Sequence, residues 1–196
     1  MSLEDRNRRV NSLRATAHPL RLQMLSLLTG AELSAAEVAR ELGTTQANAS
    51  YHLRFLLDAG LLVIAGEENV RGGRAKKYRH PWDAELAAHD THETHSSDEA
   101  GLAGSAASEA DLDAYVRAFA DMIPRRYRQR SLTPQTLLTD AELWVTPQAW
   151  AEVRDLLMSA SRIVHEQAKP PRTQGTVRTN LSVAAFTMTT DPDSRR

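Results

Sequence analysis

The chain of 196 residues contains no cysteine. That removes disulfide frameworks and thiolate metal sites at once. Aromatic residues are scarce, at 5%, so the core has to be built mainly from aliphatic side chains. No apolar run approaches the roughly 20 residues that span a bilayer. The N-terminus, MSLEDRNRRV, has no apolar stretch of the secretory kind. A cytoplasmic protein without a membrane partner is therefore expected. No phosphate-binding glycine loop, Ser/His/Asp set or paired carboxylate stands in a catalytic setting, so neither an enzyme nor a cofactor is expected.

Net charge is almost absent too, at −1, but it is a sum of unlike parts. Residues 1–82 carry 12 Lys/Arg against 8 Asp/Glu, residues 83–113 carry nine acids and no Lys or Arg, and residues 114–196 return to 12 against 8. An acidic stretch thus joins two mildly basic parts. With 41% hydrophobic residues, most of the chain has the means to fold.

Apolar spacing predicts a first helix over 4–16. A second starts at HPL, where Pro19 suits the first helical position, continues through Leu22, Leu25 and Leu28, and ends at Gly30. Ser34 and Glu37 of SAAE form a capping-box pattern opening a third helix with Val38, Ala39 and Leu42 on its inner side and Gly43 at its end. Thr44 or Thr45 then caps a helix reaching about Ala59. Two short helices about a glycine turn make a helix-turn-helix. LLVIA at 61–65 and AKKYRH at 75–80 read as a β-hairpin with a basic tip.

Beyond it, 83–110 has the composition of an acidic, His-containing linker. LDAYVRAFADMI at 112–123 is an amphipathic helix expected to end at Pro124. ELWV at 142–145 and NLSVAAFTM at 180–188 read as strands. Between them Trp150, Val153, Leu156, Leu157, Ala160, Ile163 and Val164 share one face of a helix opened by Thr146-Pro147.

The helix in TTQANASYHLRFLLDAG has an unusual outer face. Ala49, Leu53, Leu56 and Leu57 give it an apolar side, but opposite them stand amides, hydroxyls and rings instead of the usual Glu and Lys. The order HPLRLQMLSLL, ELSAAEVARELGTTQANASYHLRFLLDAGLL, basic hairpin resembles the ArsR-type winged helix-turn-helix transcription regulators over about residues 10–82. The resemblance implies that the helix at about 46–59 enters the DNA major groove and that the hairpin is a wing. Thr45, Gln46, Asn48, Ser50, Tyr51 and His52 are then the groove-facing candidates, with the Gln46 and Asn48 amides suited to adenine. Thr44, Arg54, Arg71, Gly72, Gly73, Arg74, Lys76 and Lys77 are the candidates for phosphate and wing contacts, with Arg79 nearby and Tyr78 turned inward.

Metal-sensing members of that family carry Glu-Leu-Cys-x-Cys where this chain reads Glu32-Leu33-Ser34-Ala35-Ala36, so soft-metal sensing there is excluded. His89, His92 and His95 are the remaining metal candidates, and a solvated linker accounts for them better than a metal site. PRRYRQR at 124–130 reads as a solvated helix end. Trp144 and Trp150 read as core or dimer contacts.

The expected fold is mainly α with small β: a winged helix-turn-helix domain at 1–82, a linker at 83–110 and a C-terminal α/β (α+β) extension at 111–190 for dimerisation or a small-molecule effector. The expected function is a dimeric, sequence-specific repressor whose partners are double-stranded DNA and a second copy of itself, the helices at 4–16 and 112–123 serving as dimer surfaces. The alternatives are a winged-helix protein-interaction module and a metal-responsive regulator using the linker histidines. The acidic linker could also fold back on the basic wing and weaken DNA binding.

Overall fold

Helices begin where capping side chains stand ready for orphan amides. In the computed structural model, which describes residues 11–70, 73–82, 109–132 and 136–189, residues 11–16 are helical (α1). Helix α2, Pro19–Thr29, is capped by His18, whose Nδ1 accepts the Leu20 N–H at 3.1 Å. Helix α3, Ala35–Leu42, opens on the expected capping box: Ser34 Oγ accepts the Glu37 N–H at 3.4 Å, and Glu37 Oε2 accepts the Ser34 N–H at 2.7 Å. Gly43 closes it at φ +65°, a left-handed conformation that disfavours a Cβ. Helix α4, Gln46–Asp58, starts from Thr45, whose hydroxyl takes the Asn48 N–H at 3.2 Å.

Three antiparallel strands follow the order β1-β3-β2, with β1 at Leu33–Ser34, β2 at Val63–Val70 and β3 at Gly73–Arg79. Leu33 pairs with Tyr78, and Val70 with Gly73 at the far end of the hairpin; the register shifts between Ile64 and Gly66. β1 had no counterpart in the sequence reading, since two residues are too short to show a period. Its pairing nonetheless ties the hairpin to the start of α3. At the other end, the His80 N–H donates to Leu28 O at 3.0 Å.

Met24 and Leu28 of α2, Val38 of α3, and Ala49, Leu53 and Leu56 of α4 pack with Leu62 into one core that excludes water, and Tyr78 of the sheet turns into it as expected. Burying each large aliphatic side chain contributes about 1.5–3 kcal/mol, which fixes the α3–α4 angle. The result is a helix-turn-helix flanked by a β-wing.

The chain divides into two units. The first runs to Arg130 and takes in Ala168–Thr176; the second is Ser131–Gln167 with the chain from Val177 onward. This differs from the bounds read in the sequence, because helix α5, Glu109–Arg128, groups with the helix-turn-helix. Ala118 and Met122 are buried, and Asp111 pairs with Arg14 at 3.0 Å. Helix α5 also runs through Pro124, where it was expected to stop. Proline removes the donor for the carbonyl four residues back, at Ala120, and both residues lie on the exposed side, where water can satisfy that carbonyl.

Residues 168–176 lie across the end of α2. A Cβ on Gly30 would sit 2.9 Å from Lys169 O, so only glycine admits this strap. Arg172, at φ +65°, forks onto the Glu41 carboxylate of α3 with contacts of 2.7 and 3.0 Å, a bidentate pair between the strap and that helix.

In the second unit, Thr146 caps helix α6, Pro147–Glu166, as expected. The strands expected at 142–145 and 180–188 do not form: those residues have neither helix nor strand. A strand exists only against a hydrogen-bonded neighbour, and none of the described residues supplies one there. The mainly α fold with a small β component stands, with its described β structure confined to the wing and β1. No helix among the described residues is long and apolar enough to cross a membrane.

Candidate nucleic-acid interface

The packing that buries Ala49, Leu53 and Leu56 sets which residues α4 presents outward. Thr45, Gln46, Asn48, Tyr51 and Arg54 are exposed, while Thr44 and Ser50 are half-buried at the edge of the same surface. Asn48 Nδ2 donates to Thr44 Oγ1 at 2.9 Å, which holds the amide at the helix start. Thr45 satisfies only one first-turn amide, so those of Gln46 and Ala47 head the helix without an intrahelical acceptor. Such an end attracts an anion. Beside it the surface offers one carboxamide from Gln46 and one from Asn48, with Tyr51 57% exposed.

His52 is a correction. Expected on the reading face, it is buried, with its ring centroid 4.7 Å from that of His18. Position 52 lies three residues after Ala49 and four before Leu56, so helical periodicity places it in the apolar stripe. Its Nδ1 has no hydrogen-bond partner among the described residues. Burial, then the His18 and Arg21 charges, push its pKa down; burial, then Arg21, do the same to His18. Both rings are held neutral.

Sequence reasoning passed over Arg21. Its Nε donates to Ala15 O and its Nη2 to Arg14 O at 3.0 Å, closing the end of α1, while its guanidinium lies 4.5 Å from the centre of the Phe55 ring. One side chain thus links α1, α2 and α4. A lone arginine in an amphipathic helix carries no local signal of this.

The wing keeps part of its expected charge. Gly73, Arg74 and Lys76 are exposed. Arg74 pairs with Glu67 at 2.9 Å, a solvent-exposed contact worth little and easily exchanged for a phosphate. Lys77 is differently placed: half-buried, it bridges Glu68 at 3.0 Å and Glu37 at 3.3 Å and so braces the wing against α3. The bond to Glu68, with that to Glu37, raises its pKa, while the Ser34 amide, with lesser help from the Ser34 hydroxyl and Lys77, lowers that of Glu37. Lys77 is therefore a brace in this conformation. Arg71 and Gly72, and His89, His92 and His95, lie outside the described residues. Among the described residues no group of His, Asp and Glu could hold a metal ion.

Arg125, Arg126 and Arg128 stand in the last turn of α5, where positive charge complements the helix dipole. Arg130 stacks on Tyr127 at 4.0 Å, and Arg126 Nη2 donates to Ser26 Oγ at 3.4 Å. Trp144 is 89% exposed and so is not core within this chain.

Residues 16–64, covering α2 to the start of β2, match a family model described as a helix-turn-helix domain. No curated protein matches the chain. The matched residues form the helix pair whose outward face has just been described.

Proposed function

We propose that this chain is a sequence-specific DNA-binding transcription regulator, a non-metal-sensing relative of the ArsR-type proteins, which acts as a homodimeric repressor on an inverted repeat and not as an enzyme. The observation that carries the reading is the outward face of α4: Gln46, Asn48 and Tyr51 grouped at the amide-bearing end of a helix whose opposite side is locked in the core. A helix in the major groove reads bases from its N-terminal end, and carboxamides pair bidentately with adenine. Arg54, Arg74 and Lys76 are the cations offered to the flanking phosphates, and Thr44 and Thr45 frame the amides for another.

One such helix reads only a few base pairs, so two copies are needed, with half-sites about one turn, ~34 Å, apart. If a dimer neutralises about six to eight phosphates, log K falls against log salt with a slope of roughly −5 to −7. Asn48→Ala should relax preference at one base position at a cost of about 1–3 kcal/mol, while Lys76→Ala should weaken all sequences alike and flatten the slope by about one. Competition binding on an operator series measures both, and a slope near zero rejects the reading.

The rival is a module that docks its α4 on another protein. It needs large apolar groups on that face. Among the large hydrophobic side chains of α4 only Tyr51, which also carries a hydroxyl, and Phe55 are exposed, and Arg21 covers one side of the Phe55 ring. Control by a small effector held at the C-terminal domain belongs to the regulator reading.

A further inference from the structure

The second unit is a fold without an interior. None of its described residues is buried, and α6 has no buried side chain along its 20 residues. Sixteen large hydrophobic side chains between Leu132 and Met188 are instead exposed, among them Trp144 at 89%, Leu156 at 64% and Phe186 at 70%. Even at only ~100 Å² apiece, that is about twice the ~800 Å² per partner of a standard protein interface.

From this excess we infer that the second unit is completed by a second copy of this chain: the apolar face of α6 packs on its counterpart, and residues 142–145 and 180–188 become strands by pairing across the two copies. The inference rests on the homodimer reading above and places the surface that joins the copies on the second unit, in place of the helices at 4–16 and 112–123.

Three observations select this occupant. Leu181 and Val183 alternate with Asn180 and Ser182, a strand period in a stretch that is neither helix nor strand. Backbone amides and carbonyls among apolar side chains need hydrogen-bond partners once water leaves, and an identical segment about a two-fold axis supplies them in register. The charge balance of the unit, seven acidic against five basic residues, opposes an anionic lipid surface or nucleic acid and is too small to keep two copies apart. Leu156 and Ile163, seven residues apart on α6, are the natural centre of the contact.

The test uses the full chain and needs no DNA. Sedimentation velocity of the wild type should give twice the 21.7 kDa chain mass, and the double variant Leu156→Glu/Ile163→Glu should give half the wild-type mass. Because neither side chain is buried within the chain, the variant should keep its helical circular dichroism and the melting of the helix-turn-helix unit. Hydrogen exchange on the wild type adds a readout free of mutation. Amides at 180–188 should be protected at high protein concentration and lose that protection on dilution. A wild-type chain at monomer mass, alone or carried down by phosphatidylcholine vesicles, overturns the inference, and so does a double variant that remains dimeric or a 180–188 segment that exchanges fast at every concentration. A wild-type dimer of the expected kind that binds no DNA would sustain the inference and count against the regulator reading alone.

Discussion

His18 lends its Nδ1 to the amide of Leu20, which it can do only while that nitrogen carries no proton. Its ring lies against His52, with the Arg21 charge acting on both and the Tyr51 ring edge-on to His52. Burial and those neighbours lower both pKa values in the folded state. The unfolded chain therefore takes up protons first as the pH falls below the ordinary histidine value. Stability from this pair is complete above about pH 6.5 and is lost as the pH falls toward the depressed folded values. Thermal unfolding should accordingly show a lower midpoint at about pH 5 than at about pH 7. His18→Asn keeps a capping acceptor that does not titrate, so the variant should show a flatter dependence. An unchanged pH profile would mean that the cap tolerates a protonated ring.

At the scale of elements, caps and terminal glycines were the most legible features because each acts within four residues. Pro19, the Ser34–Glu37 box, Gly43, Thr45 and the Thr146-Pro147 start all stand where the local pattern puts them. Ser34→Ala removes the acceptor for the Glu37 N–H and the hydroxyl that donates to Glu37 Oε2 at 2.7 Å. The expected loss is about 1 kcal/mol of stability, measurable by denaturant unfolding. Features that depend on distant chain were not legible. Pro124 reads locally as a stop, although its exposure on α5 lets the helix continue. Residues 142–145 and 180–188 have strand periodicity, but periodicity does not supply the neighbouring strand.

For the whole molecule, the proposed reading surface was legible in outline because it follows from one helical phase: once Leu53 and Leu56 are inside, Gln46, Asn48 and Tyr51 are outside. The same phase places His52 inside, and its polar character alone had suggested otherwise. What joins remote parts left no pattern. Arg172 meets Glu41 across 131 positions, and Arg14 meets Asp111 across 97. Those pairs fasten the strap and α5 to the helix-turn-helix, so this unit extends well past the wing. Charge segregation acts at this scale too, since a net charge of −1 conceals the basic end that a DNA partner requires.

The central claim is that α4 reads DNA in a two-fold arrangement. The most direct measurement is selection of the purified full chain on a randomised duplex pool at near-physiological salt, followed by sequencing of the bound fraction. The expected result is enrichment of one inverted repeat with half-sites about one helical turn apart, lost or altered at defined bases when Gln46 or Asn48 is replaced by Ala. A folded, dimeric protein that enriches no sequence would contradict the account.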